Sequence, residues 1–218
     1  MEAYVMDAFS TRVFGGNQAG VALPERELPD ARMQQVAAEF KHSETAFVRL
    51  EKDGSVTLRY FTPAGEVELC GHATVASFAL LRQLGRIGDG DVTAHTRAGE
   101  LSVTVQGGTV WMDMAKPRLL RELGEDEWDA FYEAYGLTTA DRPEGLTPAI
   151  VSTGLADVML PVRDHDTLMR AVQNEAAVTA LSKKYDVTGV HMFCLGDGCT
   201  AYCSNYAPLY DIPEECAT

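Results

Sequence analysis

The sequence has no apolar run long enough to span a bilayer, and no basic n-region precedes an apolar segment at its N-terminus. Both absences argue against a membrane-spanning or secreted chain and lead us to expect a cytoplasmic one. Basic residues are scarce: 18 Lys and Arg stand against 32 Asp and Glu, a formal charge of −14. A chain this acidic has no electrostatic reason to hold a nucleic-acid backbone or an anionic membrane, so neither is expected as a partner. The five cysteines (Cys70, Cys194, Cys199, Cys203 and Cys216) include no CxxC pair, and their odd number speaks for reduced thiols rather than a disulfide framework. Cys194, Cys199 and Cys203 match no common zinc-ligand spacing, so no metal is expected. The glycine-rich loop at Phe14-Gly15-Gly16-Asn17-Gln18-Ala19-Gly20 is followed by no Lys-Ser/Thr, which excludes a phosphate loop. It reads instead as a tight turn that lets Asn17 or the backbone approach a ligand.

With 46% apolar content over 218 residues, the chain has ample material for one large core or two small ones. Its most informative stretch is Val56 to Leu84. Val56, Leu58 and Tyr60 alternate as a strand, Pro63-Ala64-Gly65 breaks it, and Glu66 to Leu69 alternates again. Cys70-Gly71-His72-Ala73-Thr74 then opens a helix whose next residues, Val75 to Leu81, are nearly all apolar or small. A helix apolar all round must be enclosed by protein. Its first turn directs backbone N–H groups and partial positive charge outward, which suits a carboxylate-bearing ligand held at Gly71 and Ala73.

Upstream, Ala3–Phe9 reads as a strand and Pro29-Asp30 starts a helix through Phe40. Glu44 falls at the entrance of a strand over Thr45–Leu50, where burial would raise its pKa and suit it to general acid–base work. Strands are expected at Asp91–His95, Leu101–Val105, Thr109–Met114, Ala149–Thr153, Asp157–Val162 and Val190–Leu195. Helices are expected at Glu122–Tyr135, Leu168–Val172 and Ala176–Tyr185, with His165 in an exposed charged turn. Lys116-Pro117 marks a boundary between domains 1–116 and 117–218.

The end of the chain repeats the grammar of the first half. Phe61-Thr62-Pro63 precedes Cys70 through a short loop and a glutamate, as Tyr206-Ala207-Pro208 precedes Cys216. Ala73-Thr74 and Ala217-Thr218 follow the two cysteines. The physical reading is a duplicated unit of strands and a helix, each helix mouth facing a shared ligand from opposite sides.

These blocks identify a resemblance. Asp7-Ala8-Phe9, Gly16-Asn17, Ser43-Glu44-Thr45-Ala46-Phe47, Phe61-Thr62-Pro63, Glu66-Val67, Cys70-Gly71-His72-Ala73-Thr74, Ser152-Thr153-Gly154, Asn205-Tyr206-Ala207-Pro208 and Glu214-Glu215-Cys216-Ala217-Thr218 together resemble the PhzF-like isomerases of phenazine biosynthesis, within the diaminopimelate epimerase fold. The resemblance implies an α+β fold of two pseudo-repeated domains, each a curved, mostly antiparallel sheet rolled around a central helix. It implies a cofactor-independent isomerase that moves a proton between carbons of a small cyclic amino or hydroxy acid held in an interdomain cleft, and a homodimer. Glu44 then matches the proton shuttle, His72 its assistant, and Glu215 an acid of the second half.

The chain departs from that pattern twice. It stops at Thr218, where relatives continue into Gly, a small hydroxyl residue and a second buried helix, so a second domain truncated before its central helix is expected. It also carries cysteines at both helix mouths, which leaves open a two-base racemase using Cys70 and Cys216. A catalytically inactive, oligomeric binding protein is the third alternative.

Overall fold

The computed structural model describes residues 1–215, which fall into two compact units, Met1–Met114 and a second beginning at Ala115. The first contains β1 (Glu2–Ala8), β2 (Asn17–Leu23), α1 (Asp30–Phe40), β3 (Thr45–Leu50), β4 (Val56–Phe61), β5 (Glu66–Val67), α2 (Gly71–Gln83), β6 (Gly90–Thr96), β7 (Gly99–Gln106) and β8 (Thr109–Met112). Its sheet has the order β1-β2-β3-β4-β6-β7-β8, with β5 added to β4. β2 and β3 run parallel, as do β4 and β6, and the other neighbours are antiparallel. α2 packs against both edge strands, β1 and β8, as well as β2, β3 and β7. A sheet whose two edges touch one helix is curled around it.

Period-two alternation sorts the sheet's side chains between two layers. Val21, Ala46, Val48, Leu58 and Tyr60 face inward onto Ala73, Ala76, Phe78, Leu80 and Leu81 of α2. Ala22, Phe47 and Phe61 point the other way, onto Met33 and Ala37 of α1. Phe78 and Leu81 are essentially inaccessible, each contributing about 1.5–3 kcal/mol of burial. Only the line Gly71, Val75, Ala79 along α2 is half-buried before the helix ends at Arg82 and Gln83.

The second unit contains β9 (Arg118–Glu122), α3 (Glu125–Glu133), β10 (Ala149–Ser152), β11 (Ala156–Pro161), α4 (His165–Arg170), α5 (Glu175–Tyr185), β12 (Gly189–Leu195), β13 (Ala201–Ala207) and β14 (Ile212–Glu215). The sheet order is β14-β13-β12-β11-β10-β9, with β11 and β12 parallel. Ile150, Val158, Leu160, Val190, Met192 and Tyr206 cover Phe131, Tyr132, Leu168, Val178 and Leu181 of its three helices. Gly189 permits β13 to approach β12 closely, because a Cβ there would stand 2.0 Å from the Tyr206 carbonyl oxygen.

Several boundaries differ from expectation. The strand expected over Glu66–Leu69 pairs only at Glu66 and Val67. The helix expected from Glu122 starts at Glu125, since Glu122 ends β9 and the Glu127 carboxylate caps the Gly124 N–H at 2.8 Å. The helix expected at Leu168–Val172 starts at His165 instead, because the Asp164 carboxylate accepts the Thr167 N–H at 2.8 Å and fixes its first turn. His165 is exposed, though helical. Cys216 and the second Ala-Thr lie outside the described residues. Among those described, no helix is long and apolar enough to cross a membrane.

Candidate active site

The first unit draws Glu44, Cys70 and His72 together. Glu44 directly precedes β3, and its carbonyl accepts the Gly20 N–H at 3.0 Å, which locks it to the parallel β2–β3 pairing. Gly20 is confined by side chains, a Cβ there lying 2.7 Å from both the Phe40 ring and the Thr45 hydroxyl. Cys70 is the N-cap of α2 with extended backbone, and His72 is the second helical residue. The His72 imidazole lies between its two neighbours: Nδ1 is 3.4 Å from Cys70 Sγ, and Nε2 is 3.6 Å from Glu44 Oε2. All three side chains are buried, with residual exposures of 7% for Glu44, 7% for Cys70 and 3% for His72. One donor atom from each falls within 4.8 Å of the others.

A buried hydroxyl chain braces this turn from behind. The Thr74 hydroxyl donates to the Cys70 carbonyl at 2.6 Å, which leaves the Tyr60 hydroxyl to donate to Thr74 Oγ1, also at 2.6 Å. Burial pushes the Tyr60 phenol well above its ordinary pKa, so it keeps the proton that this role needs. The sequence showed Thr74 as part of a motif, but its bracing by Tyr60 depends on β4 passing under α2.

Asn17 begins β2 opposite Ala8 and is buried. Its neighbour Gly16 is required there, since a Cβ would fall 2.1 Å from the Ala8 carbonyl oxygen. Asn17 and Glu44 thus lie at the same end of the parallel β2–β3 pair. Gly71 and Ala73 flank His72 in the first turn of α2. Glu215, the last residue of β14, belongs to the second sheet, opposite Asn205, and is also buried. Cys216 lies outside the described residues.

Sequence reasoning passed over Asp157. In β11 it is half-buried, and burial raises its carboxyl to about 6 although the Gly189 backbone N–H pulls the other way. An acid poised near neutrality is a functional candidate on physical grounds. Only the sheet pairing reveals its enclosure.

A curled sheet around a buried helix, with a carboxylate, an imidazole and a thiol gathered at the helix mouth, defines an α+β protein with a buried cluster of titratable side chains. The chain belongs to the PhzC-PhzF family, "Phenazine biosynthesis-like protein", which matches residues 6–218. It is 34% identical over 201 residues to the uncharacterized isomerase YddE of Escherichia coli O157:H7, covering 90% of this chain and 68% of that one. It is 35% identical over 216 residues to an uncharacterized isomerase of Deinococcus radiodurans, covering 97% and 70%. The crystal structure of a PhzF-family phenazine biosynthesis protein from Bacillus anthracis aligns with a TM-score of 0.86 at 26% identity, over 99% of this chain and 76% of that one.

Proposed function

We propose that this chain is an isomerase that moves a proton between carbons of a small carboxylate-bearing substrate, a cyclic amino or hydroxy acid, without a cofactor. The observation that carries the reading is the buried Glu44 carboxylate facing the His72 imidazole at the mouth of α2. The isomerase names of its relatives support the same class of reaction. Glu44 takes a proton from a substrate carbon, and the electron pair of that C–H bond becomes a new C=C bond. The displaced pair of the former double bond accepts the proton at its far end, so nothing is oxidised or reduced. The His72 N–H stabilises the Glu44 carboxylate in one step and the developing charge in the other. The first turn of α2, at Gly71 and Ala73, holds the substrate carboxylate, with Asn17 as a polar contact. Glu215 enters as a further acid on the family resemblance alone, and a homodimer is expected on the same ground.

The test is deuterium wash-in from heavy water into candidate cyclic amino and hydroxy acids. Glu44→Gln should lower the exchange rate by at least about 100-fold, within the range of general-base contributions. Equal exchange by this variant sinks the assignment. A second reading, a two-thiol racemase, is favoured by one observation, the 3.4 Å contact of Cys70 Sγ with an imidazole nitrogen. It requires substrate-protected inactivation by iodoacetamide, and it is excluded if Cys70→Ala/Cys216→Ala retains full exchange.

A further inference from the structure

We propose that Glu44, Cys70 and His72 form a binding site for a soft or borderline divalent cation, zinc above all. Thiolate, imidazole and carboxylate are the donor types zinc takes, and sites with three protein ligands leave the fourth position to water or substrate. A tetrahedral zinc with Zn–S of about 2.3 Å and Zn–N of about 2.0–2.1 Å holds those two ligands about 3.6 Å apart. Cys70 Sγ and His72 Nδ1 are already 3.4 Å apart. That edge of the polyhedron exists before any ion arrives, fixed by the Thr74 and Tyr60 hydroxyls behind Cys70. Glu44 closes the set. Its carboxylate faces Nε2 rather than Nδ1, and one ligand atom of each of the three residues lies within 4.8 Å of the others, so rotation about its two methylenes brings an oxygen toward the ion.

Donor chemistry favours the same conclusion. Sulfur and nitrogen donors select against magnesium and calcium, which prefer all-oxygen shells. Bound there, the ion takes the Glu44 lone pairs that proton transfer needs, so zinc is an inhibitor. That consequence rests on the proposed isomerase reading; the binding itself does not.

Cobalt(II) serves as the probe, titrated into the chelator-treated full chain in a Cys199→Ser/Cys203→Ser background that removes the two thiols exposed among the described residues. The expected result is a thiolate-to-cobalt charge-transfer band that saturates at one ion per chain and is displaced by zinc but not by magnesium. Cys70→Ser should weaken binding by at least about 100-fold, since loss of a direct ligand costs no less than loss of an outer-shell partner. Glu44→Gln, which preserves shape, should weaken it by at least about tenfold. An undiminished band in Cys70→Ser, or no band in the folded parent, overturns the proposal. Zinc-edge X-ray absorption on the parent keeps the test decisive if a variant misfolds: one sulfur at about 2.3 Å is expected, and two or more overturn the assignment. Cobalt binding without any proton exchange would leave this site standing and remove only the isomerase reading.

Discussion

At the scale of single residues, the candidate site turns on which ring nitrogen of His72 carries the hydrogen. If the Cys70 thiol donates to Nδ1, Nε2 keeps its hydrogen and presents it to Glu44. Cys70→Ala removes that donor and lets the tautomer reverse, so proton exchange should fall about tenfold while Cys70→Ser retains most of it. Loss in both variants alike would mean that sulfur itself does the chemistry. Asp157 supplies a pH signature. Its folded pKa of about 6 exceeds the ordinary 3.8, so the native state holds a proton that the unfolded chain releases between those values. The carboxyl costs nothing below the lower value, and stability falls as pH rises through the upper one. Asp157→Asn should therefore stabilise the protein at pH 7–8 by on the order of 1–2 kcal/mol, allowing for partial exposure, and leave it unchanged below about pH 4. Urea melts at the two pH values check this. Cys70, His72 and Glu44 could be singled out from sequence because each sits at the start of a strong helix or strand pattern. Asp157 could not, because its surroundings come from strands far away in the chain.

At the scale of elements, α2 is the part most fully legible in advance. A helix without a polar face has to be enclosed, and the sheet curls until both of its edges reach it. What pattern alone did not reveal is how its first turn is held. Tyr60→Phe removes the phenol that donates to Thr74, and should cost about 1 kcal/mol of stability. It should also loosen the Cys70–His72 contact and weaken cobalt binding more than its small stability cost implies. Errors of boundary have local causes. Glu122 and Glu125 both look like acidic helix residues, and only the Glu127 cap on Gly124 decides where α3 begins. β9 was hidden because an Arg-Leu-Leu-Arg-Glu run alternates with neither a strand's nor a helix's period.

At the scale of the whole molecule, two sheets with separate apolar cores divide the described residues. The segment from Asp113 to Pro117, which joins β8 to β9, is exposed throughout. Limited proteolysis with an Asp-directed protease should make its first cut there and yield two fragments, each resistant to further digestion. Rapid degradation of either fragment would show that its core does not stand alone. The helices of the second unit were legible in the sequence, but the face of the sheet that they cover was not, because no sequence signal says which face a helix will choose.

β9, the outermost strand of the second sheet, has every residue exposed and, among the described residues, pairs with β10 alone. Its free edge offers backbone hydrogen bonds to any other extended chain, with Leu119 and Leu120 ready to reinforce the pairing. Arg118, Arg121 and Glu122 surround those leucines with charge and act as gatekeepers against self-association. Three charged side chains that no catalytic argument would notice thus stand along this edge.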